Sequence, residues 1–234
     1  VYWATHLAWS RLVEACPPLE IVDSFNTIEA MGELTTLGSL PVMLLIFAVG
    51  PALGEELIFR GVLGRGLVAR WGLPLGVLLT SFLFALVHLH PAHVVAVIPL
   101  GIAMHLIYLA TRSFWAPVML HFLNNSWATV ASRLSQESRL DAEMLDAAPS
   151  AGLLIASCVA VVVLGALLYH TRRRYVLADG REWNPGYLTS ESPPRSLEAH
   201  ADHGLWSPRS LVTAATAWAS FAVAFAAEIV AFAH

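Results

Sequence analysis

The chain has 234 residues, of which 57% are hydrophobic and 13% are charged, and its formal net charge is -4. Soluble domains carry roughly 25% charged residues, so this composition and a mean hydropathy of +0.64 exclude a soluble globular protein and indicate an integral membrane protein. The small excess of acidic residues argues against nucleic acid as a partner.

Apolar segments recur along the chain, and a membrane-spanning helix needs about 20 such residues. In lipid only helices or closed barrels satisfy the backbone, and the alternating pattern of a barrel is missing, so we expect an all-α polytopic membrane bundle. Gly50 and Pro51 should break or kink the first long run, since proline removes a backbone donor. The predicted apolar segments are 36–49, 51–70, 73–90, 92–111, 113–132, 151–170 and 210–233.

The domain organisation follows from these segments. We expect a membrane core flanked by an interfacial N-terminal segment and by later helices joined through a polar linker. Because the chain opens at Val1 rather than methionine and shows no basic n-region followed by a cleavage site, we also expect a fragment or a trimmed chain. The predicted parts are an interfacial or juxtamembrane segment at 1–35, the core at 36–135, a loop at 136–150, a transmembrane helix at 151–170, a polar cytoplasmic linker at 171–209 and a C-terminal transmembrane helix at 210–234.

The charges predict an orientation. The positive-inside rule places the Arg-rich linker in the cytoplasm together with Arg65, Arg70 and Arg112, and it places the acidic loop Glu137–Asp146 outside. The expected location is a cell membrane crossed several times, of the bacterial inner-membrane type.

The rare polar residues of the core carry the functional signal. Glu55 and Glu56 are the only carboxylates between Leu34 and Ser135, and ionisable residues in a membrane are functional by default. Glu55 lies 17 residues before Gly72 and His88 lies 16 residues after it. At about 1.5 Å per residue the two sit roughly 24 Å from a turn at Gly72, so they can meet on adjacent antiparallel helices.

Spacing within single helices adds four further residues to this set. His121 and Asn125 are four apart and share a helical face, and Glu56 and Arg60 are placed for an intrahelical ion pair. Phe84 stands one turn before His88, where it would limit the rotamers of the imidazole. The remaining histidines of the core have no partner in this pattern and are interpreted as interfacial or core residues: His90, His93 and His105.

Three ordered motifs carry a family resemblance. Glu55-Glu56-Leu57-Ile58-Phe59-Arg60 fits EExxxR, Phe84-Ala85-Leu86-Val87-His88 fits FxxxH, and His121-Phe122-Leu123-Asn124-Asn125 fits HxxxN. Over residues 36–135 the chain therefore resembles the CAAX prenyl endopeptidase and bacteriocin-processing (CPBP, or Abi) family of intramembrane proteases.

The resemblance implies an intramembrane glutamic endopeptidase with a polar active-site cavity. Glu55 would be the general base that activates water and His88 would position that water. His121 and Asn125 would donate to the oxyanion, while Glu56, Arg60 and Phe84 would support the site. No cofactor or metal is implied. The partners would be membrane lipids and a peptide or protein substrate that is membrane-tethered, lipidated or processed near its C-terminus.

The same residues allow three other functional interpretations. One carboxylate and two imidazoles also form a familiar zinc triad, although no HExxH sequence is present. A transporter also places ionisable residues at the membrane midplane, but it typically shows inverted repeats and broken helices in matching positions. A noncatalytic immunity protein would keep the fold while tolerating loss of the glutamate.

Overall fold

The computed structural model of the protein describes residues 2–26, 32–136, 148–172, 174–176, 198–200 and 208–232. These residues are almost wholly helical, which confirms the predicted all-α membrane fold. In this part of the chain, three helices are long and apolar enough to cross a membrane: Leu40–Trp71, Pro91–Thr111 and Ala151–His170. Leu73–Leu86 is apolar but shorter.

The elements follow the predicted apolar segments closely, with boundaries shifted by a few residues. In chain order the helices are α1 (Tyr2–Ala15), a 3-10 helix (Pro17–Phe25), α2 (Leu40–Trp71), α3 (Leu73–Leu86), α4 (Pro91–Thr111), α5 (Trp115–Gln136), α6 (Ala151–His170) and α7 (Pro208–Phe232). Within the segment predicted as a polar linker, β1 (Arg174–Val176) pairs antiparallel with β2 (Glu198–His200). Most of that linker and most of the predicted loop at 136–150 lie outside the described residues.

Helix α2 does not end at Gly50 and Pro51, so the two segments predicted there are one helix. A π-helical segment, Leu45–Val49, precedes the proline, and the Gly50 amide donates to the carbonyl of Leu45. This wider turn accommodates the proline ring, which in a regular helix clashes with the carbonyl four residues earlier. A second π-helical segment, Leu57–Leu63, directly follows the two glutamates. Such insertions are frequent at functional sites.

Helices α2 and α3 form a hairpin through a single connecting residue. Gly72 has φ +79° and ψ 171°, a backbone conformation that is open almost only to glycine. The two helices then pack closely, because a Cβ on Gly76 would lie 2.5 Å from the Cα of Val68. The predicted turn is therefore present at the predicted residue.

The packed core lies where α2, α3 and α4 meet. Phe59, Phe84 and Met104 are buried there, one from each helix, and partly buried apolar side chains surround them. The chain divides into two compact units. Of the described residues, the first unit comprises 2–26, 32–109 and 113–136 and contains the core. The second contains 110–112 and the later elements, in which α6 packs against α7.

Candidate active site

The buried ion pair Glu56–Arg60 anchors the site within α2. Both side chains are fully buried, and the Arg60 Nη1 atom lies 2.7 Å from Glu56 Oε1. Arg60 Nη2 donates to the carbonyl of Gly101 on α4 at 2.9 Å. The guanidinium also lies over the Phe84 ring, 4.6 Å from its centroid. Arg60 thus ties three helices together around one carboxylate.

Helix α5 brings His121 onto the same carboxylate. His121 Nδ1 lies 3.0 Å from Glu56 Oε1, so this oxygen accepts from both Arg60 and His121. A carboxylate paired with arginine only accepts, which means that Nδ1 carries a proton. The opposite ring nitrogen, Nε2, then faces Glu55, whose Oε2 is 3.9 Å away.

Neither oxygen of Glu55 takes part in a described hydrogen bond, whereas Glu56 Oε1 accepts twice and Glu56 Oε2 is buried without a described partner. The Glu55 side chain is 30% exposed, whereas that of Glu56 is fully buried. Among the described residues, Glu55 Oε2 has no hydrogen-bond partner although this atom is buried. The distance of 3.9 Å to His121 is too long for a direct hydrogen bond. Polar groups at such a separation are commonly joined through water.

Phe84 packs against both histidines of the motifs. Its ring makes edge contacts with His88 at 5.7 Å and with His121 at 5.5 Å between centroids. It also contacts Phe59 edge-on at 5.4 Å. The Phe84 ring therefore contacts both the His121 imidazole on α5 and the His88 imidazole just after α3, and it restricts their rotamers.

His88 lies just beyond the end of α3, at the start of a tight turn. Its Nδ1 is 3.2 Å from the carbonyl oxygen of Ala85, so Nδ1 is the donor and Nε2 is left as the acceptor of the neutral ring. The next residue, Leu89, has a φ of 60°. The His90 amide then donates to the carbonyl of His88 at 2.6 Å. This geometry is that of a γ-turn with positive φ, which is rare and strained.

Asn125 is not joined to the other motif residues by a hydrogen bond in the described structure. Its side-chain oxygen accepts from Asn124 Nδ2 at 3.2 Å, and its carbonyl accepts from Thr129 at 2.8 Å. It lies one turn beyond His121 on α5, as the spacing predicts. The structure therefore brings Glu55, Glu56 and Arg60 together around His121, and His88 joins them through the Phe84 ring. Asn125 lies further along the helix.

The three remaining histidines of the core are buried, each about 1% exposed. His90 has a partner that the sequence did not suggest, since its Nε2 lies 3.0 Å from Asp23 Oδ1. The only sequence signal was the density of histidines between His88 and His93. Across the described residues, no group of three His, Cys, Asp or Glu side chains is arranged to hold a metal ion.

Comparison with known proteins finds a family model and a membrane peptidase that are similar to this core. Residues 37–127 match the family model described as Type II CAAX prenyl endopeptidase Rce1-like, and this range includes all three motifs. Over 98 residues the chain is 26% identical to the Bacillus subtilis (strain 168) protein named "Putative membrane peptidase YdiL", covering 42% of this chain and 40% of that relative. The chain thus spans less than half of that relative's length. No solved structure matches the chain significantly. Residues 37–127 are therefore similar to the CAAX prenyl endopeptidase family, and both comparisons indicate a membrane peptidase.

Proposed function

We propose that the protein is an intramembrane endopeptidase of the glutamic type, in which Glu55 activates the attacking water. The observation that supports this proposal is the difference in hydrogen bonding between two adjacent glutamates. Glu56 Oε1 accepts from Arg60 and His121, whereas neither oxygen of Glu55 takes part in a described hydrogen bond and its Oε2 lies 3.9 Å from His121 Nε2. A free carboxylate oxygen beside an imidazole is suited to accept a proton from water.

The hydrolysis proceeds in two steps. A water molecule donates one hydrogen bond to Glu55 and one to the unprotonated Nε2 of His88, and its oxygen attacks the carbonyl carbon of the substrate. Glu55 takes the proton, and negative charge develops on the carbonyl oxygen. The tetrahedral intermediate collapses, the bond from carbon to nitrogen breaks, and Glu55 returns the proton to the departing amine. The products are a carboxylic acid, which then releases its proton to solvent, and an amine, and the enzyme is unchanged.

The oxyanion is stabilised by His121 and Asn125. Because His121 Nδ1 donates to Glu56, donation to the oxyanion through Nε2 requires that the ring carry both protons. Two carboxylates flank such a ring, since Glu56 holds one nitrogen and Glu55 faces the other. Asn125 donates through its Nδ2 atom, which is not the atom that meets Asn124, since Asn125 Oδ1 accepts from Asn124 Nδ2. Preorganised hydrogen-bond donors stabilise the oxyanion most strongly in a site that excludes water.

The substrate is a peptide or protein that reaches the membrane, and lipidation is one way it would do so. The location that fits the charges is a bacterial inner membrane, with the Arg-rich linker inside.

Cleavage of a quenched peptide library by detergent-purified protein tests the proposal. The library includes matched peptides with and without a C-terminal lipid. We expect turnover by the unmodified protein and a loss of at least about 1000-fold in Glu55→Gln, because the general base and water-positioning effects are both removed. Glu20→Gln, at an exposed position in the 3-10 helix, is the matched control. Equal turnover in Glu55→Gln and the control contradicts the proposal.

Chelation tests the metal-free character of the reaction. We expect prolonged dialysis against a strong chelator to leave cleavage unchanged, because a carboxylate base and preorganised donors suffice. Metal content is measured on the same sample. Loss of activity on dialysis, with recovery at about one equivalent of zinc per chain, assigns the reaction to a zinc site instead.

A further inference from the structure

A cluster outside the motifs surrounds His90, two residues after His88. Helix α1 contributes His6 and Trp9, and the 3-10 helix contributes Asp23. His90 Nε2 lies 3.0 Å from Asp23 Oδ1, and Trp9 Nε1 donates to the same oxygen at 2.7 Å. The Trp9 ring also meets the His90 ring edge-on, with centroids 5.2 Å apart. His90 is therefore held by two elements that precede the family-matched core.

The turn that His90 closes is conformationally costly. Leu89 has a φ of 60°, where the side chain of a non-glycine residue crowds the backbone. The turn hydrogen bond from the His90 amide to the His88 carbonyl is 2.6 Å long. A strained conformation persists only when its surroundings over-determine it. The turn runs from His88 to His90, and its second end is fixed by the contacts of the His90 ring.

His88 is fixed at the near end of the same turn. Its ring is held by Phe84 and by the Ala85 carbonyl, but its own carbonyl is part of the turn. If Leu89 relaxed to negative φ, the backbone of His88 would rotate and the imidazole would lose one of these contacts. The anchor on one side of Leu89 and the imidazole on the other are therefore mechanically coupled.

We propose that Asp23 and His90 are positioning residues for His88: the hydrogen bond between them holds the strained turn at Leu89 and so sets where the His88 imidazole meets the attacking water. This inference rests on the proposed role of His88. It gives the segment before the family-matched core a specific part in the reaction, because Asp23 and Trp9 both precede residue 37, where the family match begins.

The test is a double-mutant cycle between Asp23→Asn and Leu89→Gly. Asp23→Asn removes the carboxylate that accepts from His90. We expect kcat to fall about 5- to 30-fold, because without the anchor most molecules would release Leu89 from its left-handed conformation. KM should stay within about twofold. Leu89→Gly removes the steric cost of positive φ, so in the Asp23→Asn background it should restore kcat to within about threefold of the unmodified protein.

Glu20→Gln is the matched control, since Glu20 is an exposed carboxylate on the same 3-10 helix. It should leave kcat unchanged. If Asp23→Asn has no larger effect than this control, or if Leu89→Gly fails to restore kcat, the proposal is wrong.

Should Asp23→Asn not fold, Trp9→Phe decides the question, because it keeps an aromatic ring and removes the other donor to Asp23. It should produce a smaller kcat loss that Leu89→Gly also reverses, and absence of such a loss overturns the proposal.

Hydrogen exchange provides a readout that does not depend on catalysis. The amide of His90 donates the turn hydrogen bond, so Asp23→Asn should speed exchange in the peptide that covers residues 86–93, whereas Glu20→Gln should not. If the protein proves catalytically silent, the proposed function fails while this measurement still tests the coupling. Unchanged exchange in Asp23→Asn refutes the coupling even in an active enzyme.

Discussion

At the scale of single residues, Glu55 and Glu56 are neighbours with opposite surroundings. Glu56 is fully buried and one of its oxygens accepts from two cationic or ring donors, Arg60 and His121. Glu55 is partly exposed and uses neither oxygen in a described hydrogen bond. Adjacent residues on a helix point about 100° apart, so the two carboxylates cannot share one water. Their different environments follow directly from the helical geometry.

Replacing each glutamate by glutamine should separate activity from stability. Glu56→Gln leaves Arg60 buried without its counter-charge, and such a change typically costs about 3–5 kcal/mol. We expect a clearly lower Tm in detergent for Glu56→Gln. Glu55→Gln should keep the Tm of the unmodified protein and lose cleavage. Equal loss of activity in both variants at unchanged Tm would show that this division of roles is wrong.

The residue contacts that the sequence predicted are those within one helix or across one turn. The Glu56–Arg60 pair and the packing of Phe84 on His88 both lie at helical spacing, and both are present. The bond from His121 to Glu56 joins residues 65 apart, and that from His90 to Asp23 joins residues 67 apart. Such pairs depend on how helices pack, which spacing along the chain does not encode.

The pKa of Asp23 predicts how the turn responds to pH. The hydrogen bond to His90, and then that to Trp9, lowers the pKa of Asp23 from its ordinary value of 3.8. A carboxyl with a depressed folded pKa contributes stability above its unfolded pKa and loses it as the pH falls through the folded pKa. The rings of His6 and His93 also face His90.

We therefore expect the difference in His90 amide exchange between the unmodified protein and Asp23→Asn to stay constant from about pH 5 to pH 8 and to shrink only below about pH 4. The measurement is hydrogen exchange at several pH values, corrected for intrinsic rates. Since Asp23 is about half exposed, at 46%, the effect is modest. A difference that disappears between pH 5 and pH 7 would instead assign the anchor to titration of the histidines.

At the scale of elements, helix α2 supplies most of the site and tolerates its own irregularities. The expected break at Gly50 and Pro51 is absorbed by the π-helical segment Leu45–Val49. Sequence patterns locate a proline but not the way in which a long helix accommodates it, because neighbouring helices stabilise the distorted turn. The second π-helical segment carries Arg60 and ends at Leu63, directly before Gly64. There the helix passes very close to His105, since a Cβ on Gly64 would lie 2.7 Å from His105 Cε1.

The close packing of α2 on α3 should depend on Gly76. A Cβ at that position would lie 2.5 Å from the backbone Cα of Val68, so Gly76→Ala must push the helices apart. We expect a loss of about 1–3 kcal/mol, typical of overpacking, measured as a lower Tm and as reduced cleavage. Gly66→Ala on α2 is the matched control, because nothing lies within 4 Å of its Cβ position. It should be neutral or stabilise by up to about 1 kcal/mol through helix propensity. Equal Tm values for the two variants would contradict the close contact.

At the scale of the whole molecule, the described helices combine an apolar surface with a small set of buried polar side chains. Many large apolar side chains on these helices are exposed, as lipid-facing surfaces require, while the buried positions include Glu56, Arg60 and His121. The composition alone predicted this arrangement, in which apolar side chains are exposed and polar ones are buried, the reverse of a soluble protein. It could not predict that the N-terminal 3-10 helix contacts the core through Asp23, because that segment reads as an ordinary interfacial helix.

The positive-inside rule makes a prediction for the orientation of the whole chain. Arg172, Arg173 and Arg174 follow α6 directly, and an acidic stretch precedes it. Since arginine-rich segments remain in the cytoplasm, we expect residues near 138 and residues near 192 to lie on opposite sides of the membrane. Ser138→Cys and Ser192→Cys, each in a chain whose Cys16 and Cys158 are replaced by serine, should report this. A membrane-impermeant maleimide applied to intact cells should label Ser138→Cys, and Ser192→Cys should react only after the membrane is opened. Labelling of both positions in intact cells would mean that α6 does not cross the bilayer, and the reverse pattern would mean that charge does not set the orientation of this chain.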